Sequence, residues 1–271
     1  MNLAVSNIAW LPEEDAAAFD ILRALGVSLL ELAPSRKWPD PSTAGVTNAE
    51  RYREELRTAG FSVAAFQAIL FGKPELTIFD GPEPRAKCVN YLVHIAQLAA
   101  ACGARPLVFG TPKNRRVPEG MALAEADGIA LEFFGELAQR AADLRVSFCL
   151  EPNPTDYGCN YLTHVADAAR IVRRVNSPGL RLQIDAGELA MNNEAVEQVI
   201  KEQSDIIGHV HISQAMLADF ETPWEGHAAL ARALTKINYG LVLSIEMKRP
   251  AMGLNGVRQA VQFAKECYAA V

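Results

Sequence analysis

Eight times along the chain a short run of Leu, Ile, Val and small residues gives way to a longer amphipathic segment. That alternation constrains the fold more than any other feature. The strand-like runs lie at 3–9, 28–33, 62–68, 106–109, 146–150, 180–184, 206–212 and 241–245. Helical segments follow at about 13–25, 48–59, 84–102, 123–144, 163–176, 194–203, 226–237 and 255–270. In the third of these Val89, Leu92, Val93, Ala96, Ala99 and Ala100 recur three and four residues apart, which puts them on one helix face. In the fourth, Ala130, Phe133, Phe134, Leu137, Ala141 and Leu144 do the same. Several helices stop at a Gly before the next strand ("LGVS", "AGFS", "CGARP", "NYGL"), and "LPEED" and "TNAE" supply Pro, Asn and early acids at helix entries.

Eight consecutive strand–helix units predict a parallel sheet. Closing that sheet on itself leaves no open edge, and right-handed crossovers put the helices outside. The expected fold class is therefore α/β, a (β/α)8 TIM barrel. No linker-like or low-complexity stretch divides residues 1–271, so one domain is expected. The alternative, an open doubly wound sheet, usually carries a Gly-rich turn after its first strand; here that turn reads "SNIAWLPEED".

With 271 residues, half of them hydrophobic, the chain can bury a large core. Its net charge of -6 disfavours nucleic-acid phosphates and anionic membranes as partners. No apolar stretch approaches the roughly 18–20 residues that span a bilayer, and "MNLAVSNIAW" reads as a first strand. Cys88, Cys102, Cys149, Cys159 and Cys267 form no CxxC pair, and free thiols in a cytoplasmic protein are expected.

Four strand-like runs finish on a residue able to bind a metal: "VSFCLEPNP" on Glu151, "QIDAGEL" on Asp185, "IIGHVHIS" on His211 and "LVLSIEMK" on Glu246. In a closed barrel the carboxyl ends of adjacent strands converge on one face, so these four side chains can meet. Three carboxylates and one imidazole suit one divalent cation, Mn²⁺ foremost, with Mg²⁺, Co²⁺ or Zn²⁺ as alternatives. An acid at a strand end is also a common helix N-cap, so each residue alone carries little weight and the set of four carries much more. His209 shares His211's side of its strand, one layer deeper, either orienting a ligand or packed in the barrel interior.

These residues resemble the xylose-isomerase-like TIM barrels, the sugar phosphate isomerases and epimerases of the tagatose 3-epimerase and hydroxypyruvate isomerase type. The pieces that carry the resemblance are "FGTPKNR", "LEPNPTDYGCN", "QIDAGEL", "HVHIS" and "LSIEM". It implies that Glu151, Asp185, His211 and Glu246 bind one metal, and that Glu151 and Glu246 move protons through an enediolate. It also implies a homodimer or homotetramer and a small carbohydrate substrate. The epimerases usually carry His three residues after the metal-binding Asp, where this chain has Glu188, and an acid or Arg soon after the HxH strand, where it reads "SQAMLADF".

Further substrate contacts are expected from Gln67, Asn153, Tyr157, Glu188 and Lys248, with Trp10, Trp38 and Phe71 as an apolar wall. The loop "FGTPKNRR" offers Lys113, Asn114, Arg115 and Arg116 to a substrate anion or, equally, to solvent. His227 could reach the site or cap a helix. A dehydratase of a keto-inositol or a dehydroshikimate-like compound would share the metal and the enolisation. An AP endonuclease would need extra His ligands where strands three and four end near Gln67 and Phe109. A non-catalytic sugar-binding barrel would not need both Glu.

Overall fold

The computed structural model describes residues 2–271. Eight parallel strands close into a barrel in sequence order: β1 (Asn2–Ser6), β2 (Leu29–Leu32), β3 (Ser62–Phe66), β4 (Pro106–Phe109), β5 (Ser147–Leu150), β6 (Leu180–Asp185), β7 (Ile207–Ser213) and β8 (Val242–Glu246). Around them run α1 (Asp15–Ala24), α2 (Pro34–Lys37), α3 (Val46–Thr58), α4 (Pro82–Cys102), α5 (Leu123–Asp143), α6 (Val165–Val175), α7 (Ala186–Met191), α8 (Val196–Gln203), α9 (His227–Lys236) and α10 (Leu254–Cys267). The chain is a single-domain TIM barrel, as the alternation predicts.

The periodic residues of α4 and α5 do what their spacing requires. Val89, Leu92, Val93, Ala96 and Ala99 are buried on α4, and Ala130, Phe133, Phe134, Leu137 and Ala141 on α5. Phe109 at the end of β4 meets Phe134 edge-on at 5.2 Å and 86°. Such pairs contribute about 0.5–1.5 kcal/mol beyond area burial, and this one seats α5 on the barrel.

The structure departs from the sequence expectations at the ends of elements. β1 stops at Ser6, whose hydroxyl accepts from the N–H of Ile8 and starts a 3₁₀ turn over Asn7–Ala9. β7 runs on to Ser213, so His211 lies within the strand rather than closing it. Two short helices, α2 and α7, sit in loops on the carboxyl face. Among the described residues, no helix is long and apolar enough to cross a membrane. All five cysteines are free thiols, four of them buried.

Candidate active site and metal centre

Parallel register brings the four strand-end donors together. Asp185 pairs with His211 across β6 and β7, and Ser213 pairs with Glu246 across β7 and β8. His211 Nδ1 lies 3.6 Å from Glu151 Oε1, 3.5 Å from Asp185 Oδ2 and 3.0 Å from Glu246 Oε2. Donors arranged around a cation at about 2.1 Å stand about 3.0–3.4 Å from one another. Glu151 Oε1 and His211 Nδ1 are buried and have no hydrogen-bond partner; the Glu246 oxygen is close to Nδ1 but out of line for a hydrogen bond.

The tautomer of His211 suits a cation at Nδ1. Glu31, buried on β2, accepts at Oε1 from both His209 Nε2 and His211 Nε2, at 3.1 Å each. A carboxylate only accepts, so both rings present Nε2–H to it, and His211 turns the bare lone pair of Nδ1 toward three acids. Without a cation, Glu31 and Glu246 outweigh burial and favour a proton on Nδ1, holding the imidazole well above its ordinary value; a cation bound there would take that proton's place. Burial would also raise Glu31, yet His211 and His209 pull it well below the usual carboxylate range. The donor set thus fits a divalent cation, with Glu31 orienting the imidazole from behind. Glu31, His209 and His211 form a second donor-rich cluster one layer down.

Local structure fixes each ligand. Asp185 is the N-cap of α7: Oδ1 accepts from the N–H of Glu188 at 2.8 Å, and Oδ2 accepts from Ser213 Oγ at 2.6 Å. The capping residue is therefore also one of the candidate metal ligands. Gly110 lies against Glu151, and a methyl group there would collide with Oε2. Burial pushes the Glu151 and Glu246 carboxyls up, with Asp185 adding to both.

Above the cluster opens a cavity of about 460 Å³. Gln67, Asn153, Tyr157, Glu188 and Lys248 all line it, as does Phe71, which is 74% exposed. Asn153 spends its amide on its neighbours: Nδ2 donates to Glu188 Oε1 at 2.5 Å and Glu151 Oε2 at 3.2 Å, so it positions two acids. Gln67 donates through Nε2 to Ser6 Oγ at 2.7 Å, which fixes its orientation in the wall. Ala68, Thr111 and Leu217, also in the wall, hold left-handed backbone conformations, a local strain typical of binding loops.

Other expected contacts lie elsewhere. Trp10 is 1% exposed and donates from Nε1 to Asp15, because it anchors the turn into α1 instead of facing the cavity. Trp38 packs on the edge of Tyr52. Arg115 is fully buried and donates to the carbonyls of Phe109 and Tyr161 and to Asn153 Oδ1, tying the loops after β4 and β5 together. Lys113 and Arg116 line a separate surface cleft, and Asn114 donates to the carbonyls of Lys73 and Leu76. The four loop residues thus divide between that cleft and the interior and bring no cation to the cavity. His209 lies below the cavity, held by Glu31. The chain places Arg36, on α2, in the cavity wall instead.

His227 is a structural residue. Gln214 is oriented by the N–H of Trp224 on its oxygen, so its amide donates to His227 Nε2, and the Nδ1–H of His227 donates to Tyr268 Oη at 2.7 Å. Burial pushes this neutral imidazole down to about 4, against a small opposing pull from Asp185. A depressed folded value means stability that is complete above the unfolded value of about 6.5 and is lost as pH falls toward 4, about 3 kcal/mol in all. Urea denaturation between pH 7 and 4 should therefore show a shallower loss in His227→Gln than in the parent; identical slopes would contradict this.

The fold and this candidate donor cluster at its carboxyl mouth define the class as a TIM barrel. The chain matches the family described as xylose isomerase-like TIM barrel over residues 19–267, and it belongs to that family. No curated protein matches it significantly. Among solved structures it is similar to D-psicose 3-epimerase with D-tagatose from Clostridium cellulolyticum H10 (13% identity, 99% of each chain, TM-score 0.81). It is also similar to 3-keto-D-glucoside 4-epimerase from E. coli (20% identity, 98% of this chain and 100% of that one, TM-score 0.77). A third is AP endonuclease, family 2, from Brucella melitensis (17% identity, 98% and 99%, TM-score 0.74). At these identities the likeness is one of fold.

Proposed function

We propose that the protein is a divalent-metal-dependent sugar or keto-sugar isomerase, and that its reaction is epimerisation beside a carbonyl. The observation that carries this reading is the placement of Glu151 and Glu246. They stand on the outermost of four consecutive strands, with Asp185 and His211 between them, so they approach a bound substrate from opposite sides. Glu151, Asp185, His211 and Glu246 would hold the metal, Mn²⁺ foremost. When bound, the metal supplies Lewis-acid polarisation of a substrate carbonyl and its neighbouring hydroxyl.

One glutamate, ionised, removes the proton from the carbon beside the carbonyl; the other, protonated, returns a proton to the opposite face of the planar enediolate. Their roles require unlike protonation states, which unequal surroundings provide: Glu151 is bonded to Asn153, and Glu246 is not. Asn153, braced by Arg115, keeps Glu151 and Glu188 in place.

The epimerase reading draws on the sugar epimerases among the structural neighbours. The family 2 AP endonuclease shares the fold, but here the third and fourth strands deliver Gln67 and a buried Phe109 in place of further His ligands, on a chain of net charge -6. Solvent deuterium exchange on the Mn²⁺-loaded protein, across a panel of keto-sugars, tests the proposal. One deuteron should enter the carbon beside the carbonyl of a retained sugar. A product lighter by one water would make the protein a dehydratase, and exchange with no substrate would refute the enzymatic reading.

A further inference from the structure

Among the described residues, the cavity wall holds an arginine whose only ion pair is a long one. Arg36 sits on α2, directly after β2, and its side chain is 19% exposed. Its Nε is buried with no hydrogen-bond partner. Its one ion pair is long, 3.8 Å from Nη2 to Asp15 Oδ1, and that oxygen already accepts from Trp10 at 2.7 Å. Arg115 shows how this chain treats a purely structural guanidinium. It is fully buried and bonded to Asn153 and to the backbone on several sides. A guanidinium Nε–H left unmatched in a largely desolvated position is costly. Arg36 is built as if its acceptor arrives from outside.

A second cation stands nearby in the topology. Lys248 lies two residues past β8, is exposed, lines the same cavity and has Nζ bonded only to the carbonyl of Met216 at 3.2 Å. β2 and β8 both pair with β1, so Arg36 and Lys248 flank one side of the mouth. β2 is four strands from β6 in the closed ring, so Arg36 lies diametrically across from Asp185 and Glu188. Arg36 and Lys248 thus stand across the mouth from Asp185 and Glu188, with Glu246, at the end of β8, the one cluster acid on their side.

We infer that Arg36, assisted by Lys248, binds an anionic group at the far end of the substrate, a carboxylate or a phosphate. The substrate class is then an acidic keto-sugar, with its carbonyl end at the carboxylate cluster and its anionic end on the β2–β8 side. The planar fork of Arg36 suits two-point contact with either oxyanion, while Lys248 adds a mobile point charge. This inference rests on the isomerase reading for the identity of the carbonyl end only; the anion site itself does not depend on turnover.

The test compares D-fructose, D-fructose 6-phosphate and 5-keto-D-gluconate in deuterium exchange, using the Mn²⁺-loaded parent, Arg36→Met and Lys248→Met. In the parent, one of the two acidic sugars should show a KM on the order of tenfold below that of D-fructose, and which one it is separates phosphate from carboxylate. Arg36→Met should erase that preference while leaving the KM for D-fructose within about twofold; Lys248→Met, on an exposed side chain, should weaken it by about threefold. Equal KM values for all three sugars, or an Arg36→Met effect that is the same for neutral and acidic sugars, would overturn the inference. Calorimetric titration with inorganic phosphate and with acetate supplies a readout free of turnover. If no sugar exchanges but one of these anions binds the parent and not Arg36→Met, the isomerase reading fails and the anion site stands. If neither anion distinguishes the parent from Arg36→Met and no sugar shows the preference, the anion site is refuted.

Discussion

Glu151→Gln and Glu246→Gln should each abolish interconversion, with kcat falling by roughly 10²–10⁴ at saturating Mn²⁺, and each should retain exchange with one epimer only. The two-sided geometry is the reason. Each glutamate faces one side of the planar intermediate, so the one that survives can still remove a proton from its own face and return a deuteron there. No acid then waits on the opposite face to complete inversion. Chirally resolved exchange, measured separately on each epimer, reads this directly. Both residues also contact the metal position, so Mn²⁺ content is measured alongside. A variant that stays loaded yet exchanges both epimers equally would show that a single base works on both faces.

Glu31→Ala should be the most damaging change outside the ligands themselves. Glu31 is wholly buried and is the shared acceptor of two imidazoles. Its removal strands the Nε2–H of His209 and of His211 in a sealed interior, and breaking a buried charged network in this way costs about 3–5 kcal/mol. For a domain of this size that lowers Tm on the order of 10 °C. It also releases the tautomer of His211: with no acceptor behind Nε2, nothing keeps the Nδ1 lone pair forward, and metal affinity should fall by about 10–100-fold. Glu31→Gln preserves volume and one acceptor oxygen, so it should retain most of the stability and lose less metal affinity than Glu31→Ala. Thermal melts together with a Mn²⁺ titration separate the two effects; unchanged metal affinity in both variants would show that Glu31 does not orient the metal-binding imidazole.

The barrel was legible because each strand is a compact apolar run followed by a periodic helix, and local pattern and global topology agree at every unit. The four donors stood out for a related reason: each interrupts an apolar run at the point where the barrel opens. Glu31 does the same within "SLLELA", but it lies on a strand remote in sequence from the other donors, and only the closed ring shows that β2 reaches His209 and His211. The helix after Asp185 had a readable sign: in "DAGE", Asp185 precedes Glu188 by three residues, the spacing of a capping box. Cations were misplaced because composition carries no direction. Lys113, Arg115 and Arg116 are adjacent in sequence, yet the loop begins with Thr111 in a left-handed conformation and sends them to a surface cleft and into the protein. Arg36, next to Lys37 in "PSRKWPD", looks like an ordinary surface pair until the four-residue α2 turns it inward.

The proposed chemistry depends on one cation held jointly by Glu151, Asp185, His211 and Glu246. Anomalous diffraction at the manganese edge, from crystals soaked in Mn²⁺, tests this most directly. A single strong peak is expected within bonding distance of His211 Nδ1 and of an oxygen from each of the three acids. A peak between Glu31, His209 and His211 instead, or no peak with the four side chains unmoved, would contradict it.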